Sequence, residues 1–285
     1  MSTPPVGLQV IAEHGCHGGV QGFYRHDSTA TGRPMQFGVY RPPQAERGPV
    51  PVVFCLAGLT CNEETFAIKA GAQAHAARLG LMLVTPDTSP RNTAIAEADA
   101  HWDFGSAAGY YLDATQDPWR RHWRMEHWIV DELLTMVLDR FPARPDRVGV
   151  LGHSMGGHGA LTFALRHPVI FRSCSAFAPI VAPSQSPWGV KAFTHYLGSD
   201  TAAWAEHDAC ALVAGGRRAP ALLVDQGLGD PFLAEGQLRP ELLETACQAT
   251  GQPLTLRRHA GYDHGYWFIQ SFVADHLAHH ARFLA

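Results

Sequence analysis

Gly152-His153-Ser154-Met155-Gly156 is the stretch on which the reading of this chain turns. Before it, Arg147-Val148-Gly149-Val150-Leu151 is a short apolar run of buried-strand character. After it, Gly157-His158-Gly159-Ala160-Leu161-Thr162-Phe163-Ala164-Leu165 reads as a helix. A serine on so sharp a strand-to-helix turn sits in strained backbone geometry, and small residues two before and two after it let the chain close. The turn lifts the serine Oγ above the sheet and aims the first helical N–H groups at the same point. A bare G-x-S-x-G match is a weak signal, because glycine and serine are common. The flanking strand and helix separate it from an ordinary glycine-rich turn.

Working outward, Gln36-Phe37-Gly38-Val39-Tyr40 alternates as a strand and pairs with the segment near Gly22-Phe23-Tyr24. Val50-Pro51-Val52-Val53-Phe54-Cys55-Leu56 is a continuous apolar run, as in a strand covered on both faces. A helix is expected over about Glu64 to Leu79, then a strand at Leu81–Thr85. Residues 88 to 118 form a long irregular stretch, and its Trp102, Phe104, Tyr110 and Tyr111 argue for an ordered, functional loop. A long helix covers about Met125 to Phe141, with Trp128, Ile129, Leu133, Leu134, Val137 and Leu138 at helical spacing. Past the pentapeptide come a strand at Ser173–Ala178, an excursion over 180 to 218, and a strand at Ala221–Asp225. A helix at about Pro240–Thr250, a strand at Leu254–Arg258 and a helix at about Tyr266–Phe283 complete the chain. Strands alternating with helices after an antiparallel pair predict a mostly parallel sheet with helices on both faces, one domain over residues 1–285. Its sites are expected beyond the C-terminal strand ends.

The bulk properties narrow the function classes. A hydrophobic fraction of 46% is globular, and a net charge of −4 offers no basic surface for nucleic acid. No apolar run is long enough to span a bilayer, and Met1–Val6 lacks a basic, then apolar, leader pattern. The six cysteines are scattered, with no C-x-x-C pair, as expected of reduced thiols in a cytoplasm. The densest histidine groups, His14-Gly15-Cys16-His17 and His276 with His279-His280, are read as solvated surface residues; no metal site is expected.

A serine hydroxyl is a poor nucleophile at neutral pH. It needs a base to take its proton and an acid to orient that base. On this fold the chain order is Ser, Asp or Glu, then His. His264, in the glycine-bounded loop Gly261-Tyr262-Asp263-His264-Gly265, is the candidate base. The segment Asp225-Gln226-Gly227-Leu228-Gly229-Asp230 offers two acids. Asp225 ends the strand and can brace the backbone, whereas Asp230 lies out in the loop, where it can reach the imidazole; Asp230 is favoured. An oxyanion hole needs two backbone N–H groups. Met155, directly after the serine, supplies one candidate; Leu59, in Ala57-Gly58-Leu59-Thr60-Cys61, supplies the other.

With these residues in place, the chain resembles the S-formylglutathione hydrolase (esterase D) family of the α/β-hydrolase fold. The resemblance rests on Gly58-Leu59-Thr60-Cys61, Thr85 to Arg91, Trp102-Asp103-Phe104-Gly105, Asp113-Ala114-Thr115, Gly152 to Leu161, Pro187 to Phe193, Asp225-Gln226-Gly227 with Asp230, and Tyr262 to Tyr266. They run in the family's order over nearly the whole chain. The sequence departs at Gly105-Ser106-Ala107-Ala108-Gly109, where the family commonly has Gly-Thr-Gly-Ala-Gly, and at Ser186, where it often has cysteine. The resemblance implies a cofactor-free cytosolic enzyme, often dimeric, that cleaves S-formylglutathione with Ser154, Asp230 and His264. A formyl group is tiny, so Trp102, Phe104 and Trp188 are the expected walls of the acyl pocket. Lys69 and Lys191 are the candidate basic groups for anionic glutathione, and Cys61 lies beside the oxyanion loop.

Overall fold

A computed structural model describes residues 7–285; the leader reading of Met1–Val6 lies outside them. One sheet of nine strands organises the described chain: β1 (Gln9–Cys16), β2 (Gly19–Asp27), β3 (Pro34–Arg41), β4 (Val50–Leu56), β5 (Met82–Pro86), β6 (Ala143–His153), β7 (Phe171–Phe177), β8 (Leu222–Gly227) and β9 (Leu254–His259). Their spatial order is β1-β2-β3-β5-β4-β6-β7-β8-β9. Neighbours from β5 to β9 run parallel, while β1, β2 and β3 are antiparallel and β3 meets β5 antiparallel.

The antiparallel part is thus one strand larger than the pair expected from sequence. β1 is an edge strand whose Val10 and Ile11 face solvent and whose register shifts between Val10 and Ala12. A strand with no buried face carries no alternation to read. The opposite case is β4, where Val52 to Leu56 are wholly buried on both sides, as the unbroken apolar run requires.

Two helices, Glu63–Lys69 and Gln73–Leu79, replace the single one expected. Gly71, with φ +64°, takes the left-handed backbone that ends the first, and Asn62 and Thr65 cap its start reciprocally. The long helix is present as Met125–His127, a π-helical stretch Trp128–Leu133 and Leu134–Arg140. The loop after β5 carries three of its four aromatics inward: Phe104, Tyr110 and Tyr111 are buried and Trp102 is exposed.

The C-terminal helix, Tyr266–Leu284, corrects a second expectation. His276 and His280 are not solvated; both are fully buried, on the face shared by Ile269, Val273, Leu277 and Leu284. His280 sits between two serines of β7, Nδ1 at 2.7 Å from Ser173 Oγ and Nε2 at 2.9 Å from Ser175 Oγ. His276 stacks on Phe177 at 3.7 Å. The His280 ring is tolerated there because the two serines of the sheet face hydrogen-bond both its nitrogens. His14 and His17 lie on the exposed edge, as read. Among the described residues no group of three or more His, Cys, Asp or Glu could hold a metal ion, and no helix is long and apolar enough to cross a membrane.

Candidate active site

The chemistry-bearing loops follow β4, β6, β8 and β9, all at the C-terminal edge of the parallel strands. Ser154 joins β6 to the helix Met155–Arg166 with φ +58° and ψ −119°, a conformation strained for any residue but glycine. The turn is as tight as the pentapeptide demands. A Cβ on Gly152 would lie 1.9 Å from Gly156 O, and one on Gly156 would lie 2.0 Å from Leu56 O. Ser154 N–H donates to Phe177 O at 2.9 Å, and Ser154 O accepts from His158 N–H at 3.0 Å, so the strain is held from both sides.

The loop after β4 passes directly over this elbow. A Cβ on Gly58 would meet Ser154 Cβ at 3.1 Å, and glycine leaves that space open. The loop is fixed by Tyr111 Oη donating to Ala57 O (2.7 Å), Thr60 N–H donating to Ala107 O (3.0 Å), and Thr88 Oγ1 and Arg91 Nη2 donating to Cys61 O (2.6 and 2.9 Å). Leu59 lies between those anchors, and Met155 opens the helix, where N–H groups have no intrahelical acceptor.

Asp230 and His264 come together although 34 residues separate them: His264 Nδ1 is 2.6 Å from Asp230 Oδ2. The two loops are stitched by backbone. Leu228 N–H donates to His259 O (2.9 Å) and Gly229 N–H to Tyr262 O (2.8 Å). A Cβ on Gly227 would lie 2.5 Å from Tyr262 O, so only glycine allows that approach. Asp230 also accepts from Phe232 N–H at 2.9 Å, capping the short helix Pro231–Ala234, and from Gln226 Nε2 at 3.3 Å. Asp263, beside the histidine, turns away and accepts from Gly265 N–H.

Asp225, the other candidate acid, is fully buried and forked by Arg257, whose Nε and Nη2 donate to it at 2.6 Å each. Burial raises its pKa, but hydrogen bonds from His276 and Arg257 outweigh that and bring it down to about 2. It braces the strand end, as its place in the sequence suggested.

Gly58, Leu59, Thr60, Cys61, Trp102, His153, Ser154, Trp188, Phe232 and His264 enclose a cleft of about 180 Å³. Trp102 stands edge-on to Trp188 at 5.3 Å, the former on the rim and the latter buried. Phe104 does not join them. The tight turn pairing His101 with Phe104 sends Trp102 out and Phe104 in, where it packs on Trp119 (4.6 Å) and Tyr196 (4.8 Å). Neither lysine lines the cleft. Lys69 is exposed, its ammonium 5.9 Å from the Tyr266 ring centroid, and Lys191 is engaged by Asp103 at 2.6 Å. Cys61 does line it, and burial pushes its thiol pKa up, so it is held as the thiol.

Sequence reasoning missed two residues of the cleft. Phe232 sets its ring perpendicular to His264 at 4.8 Å and packs on Trp188 at 4.7 Å; its position two after Asp230 was the available signal. His153, inside the pentapeptide, lies 4.6 Å from the His264 ring. Burial, then the neighbouring His264, holds its pKa well below the ordinary 6.5, so it stays neutral beside His264.

The Esterase family profile matches residues 28–279. The S-formylglutathione hydrolase of Paracoccus denitrificans (strain Pd 1222) is 49% identical over 273 residues, 96% of this chain and 97% of that protein. The structure of an S-formylglutathione hydrolase from Agrobacterium tumefaciens superimposes with a TM-score of 0.95 at 46% identity, covering 97% of this chain and 100% of that one. A ferulic acid esterase from Anaeromyces mucronatus, at 16% identity, covers 100% of this chain and 92% of its own with a TM-score of 0.66, which shows a shared fold.

Proposed function

Because the chain belongs to the S-formylglutathione hydrolase family of serine esterases, we propose that it hydrolyses S-formylglutathione to glutathione and formate through a formyl-serine intermediate. The observation that carries this reading is the Asp230–His264 contact of 2.6 Å beside a cleft of about 180 Å³ that Ser154 also lines.

In this mechanism Ser154 Oγ attacks the formyl carbon and His264 takes the hydroxyl proton. With Nδ1–H committed to Asp230, Nε2 is the ring nitrogen left for that task. The carbonyl oxygen becomes an oxyanion and accepts from the N–H groups of Leu59 and Met155, each such donor being worth about 3 kcal/mol in the transition state. As the C–S bond breaks, His264 returns the proton to sulfur and glutathione leaves. Water then gives its proton to His264 and attacks the formyl ester, and collapse releases formate and restores Ser154. Trp188, Phe232 and Trp102 crowd the cleft, which suits a one-carbon acyl group. The same reading takes the chain as one domain over residues 1–285, a cytoplasmic, cofactor-free homodimer; one continuous sheet and the family resemblance support it.

The test is hydrolysis of S-formylglutathione beside p-nitrophenyl acetate and butyrate, with Ser154→Ala as control. A preference for the formyl thioester, lost in the variant, is the expected result. Equal or faster turnover of butyrate, also lost in the variant, would leave a general short-chain carboxylesterase on the same residues.

A further inference from the structure

The basic group expected for an anionic thiol is supplied by neither lysine, yet a basic cavity adjoins the cleft. It measures about 310 Å³ and is lined by Arg25, Arg33, Pro34, Gln36, Asp87, Arg91 and Asn92. Strand register brings the first part together: Arg25 on β2 stands opposite Gln36 on β3, and Asp87 N–H, just past β5, donates to Gln36 O at 3.0 Å. Arg91 is committed to the wall. Its Nε and Nη2 donate to Asp87 at 3.1 and 2.6 Å, and Glu63 and Asp99 also act on its charge. Arg33 reaches only the carbonyl of Asn92 through Nη2, and its buried Nε has no partner. Among the described residues neither Arg25 nor Arg33 is paired with a carboxylate, so two positive charges line the cavity without compensation.

The cavity and the cleft share a wall. Cys61 lines the cleft, and its carbonyl oxygen accepts from Arg91 Nη2 at 2.9 Å, while Arg91 lines the arginine cavity. Residues just past β5 (Asp87, Arg91 and Asn92) line the cavity, and residues of the loop after β4 (Gly58 to Cys61) line the cleft. Three strand spacings, on the order of 14 Å, separate β6 from β3, and an extended three-residue peptide of about 10 Å leaves the remainder to the reach of the arginine side chains. We propose that Arg25 and Arg33 form the subsite that binds a carboxylate of the glutathione part of the substrate while its thioester lies at Ser154. The inference rests on the substrate reading given above. Guanidinium forks match carboxylates in planar geometry, whereas a small ester has nothing to offer them.

The test compares kcat and KM for S-formylglutathione and for p-nitrophenyl acetate in wild type, Arg25→Ala, Arg33→Ala and Arg33→Lys. In each alanine variant KM for the thioester is expected to rise about tenfold with kcat nearly unchanged, from the loss of one charge-assisted hydrogen-bonded contact. The ester's constants should not move, and Arg33→Lys should recover part of the loss. Repeating the series with the S-formyl derivative of glutathione esterified on its glycine assigns the carboxylate: the arginine effect vanishes if the glycine end is bound and persists if the γ-glutamyl end is. Unchanged thioester KM in Arg25→Ala and Arg33→Ala, with a wild type that prefers the thioester, would overturn this inference alone. A parallel loss on thioester and ester would also overturn it, as general damage. A wild type that cleaves the ester and not the thioester would remove the substrate reading and this subsite together.

Discussion

Two aspartate–histidine constellations start from β8, and they are built for different ends. Asp230 and His264 lie in the loops after β8 and β9; Asp225 lies within β8, in reach of His259 and His276, each 3.3 Å from its Oδ2. The contacts differ in what else touches the carboxylate. Asp230 has a histidine, an amide and one backbone N–H, whereas Asp225 has a forked guanidinium that is itself held by Asp275 at 2.8 Å. They differ too in access: the His264 side chain is 14% exposed and the His276 side chain 0%. A histidine shut away from solvent and stacked on Phe177 cannot exchange a proton with a substrate. The pair alone therefore does not make an acid–base device; an open face beside a nucleophile does.

Amide substitution of each aspartate separates the two constellations most strongly. Asp230→Asn is expected to lower kcat by about ten-thousand-fold while leaving the unfolding midpoint close to wild type, because the amide no longer fixes the imidazole tautomer. Asp225→Asn should do the reverse. It leaves Arg257 without its buried counter-charge and should cost about 3 kcal/mol or more of stability, read in urea, with kcat/KM of the folded enzyme within a few-fold of wild type. If Asp225→Asn silenced the folded enzyme, or Asp230→Asn spared it, the two roles would have to be exchanged.

Acid titration of stability sharpens it further. Burial, then His207, lowers His158 to about 3, and His207 itself falls to about 4 by burial and then Arg166. The unfolded chain binds these protons near 6.5 and the folded chain does not. Stability is therefore complete above pH 6.5 and declines as pH falls, by at most about 1.4 kcal/mol per unit for each such group. Asp225 adds its share only lower down: its contribution is intact above 3.8 and is lost as pH falls through about 2. Urea midpoints that stay flat from pH 7 to 4 would show that the buried histidines protonate in place.

The cleft wall gives a smaller effect. Trp188→Ala should raise the butyrate-to-acetate rate ratio about tenfold by removing a buried side chain that lines the cleft, while Phe104→Ala should leave that ratio alone and lower stability by about 3 kcal/mol. Smallest is Cys61: alkylation with a bulky maleimide should lower activity by obstruction, and a small thiomethyl group should lower it less. Full activity in fully alkylated enzyme would remove Cys61 from the cleft.

Much of this was legible because short-range sterics wrote it into the chain. The Gly152–Gly156 turn and the buried β4 run are local patterns that the structure contains, and the chain order that favoured Asp230 is matched by its contact with His264. Phe104 and Lys191 were misplaced because an aromatic or a lysine in a loop has two directions to point, and the sequence does not choose between them. His276 and His280 were misread because their periodicity on the last helix matches its apolar face, but a histidine's polarity suggested the other.

Strain at Gly152–Gly156, burial of the β4 run and the alternating α/β order are written in neighbouring residues, and chain order alone put Ser154, two candidate acids and His264 at one end of the sheet. Tertiary packing chose which aspartate contacts His264, which aromatics wall the cleft, and where uncompensated arginines gather. Those outcomes depend on how separate loops pack across the sheet edge, where backbone bonds such as Gly229 N–H to Tyr262 O bring distant residues together.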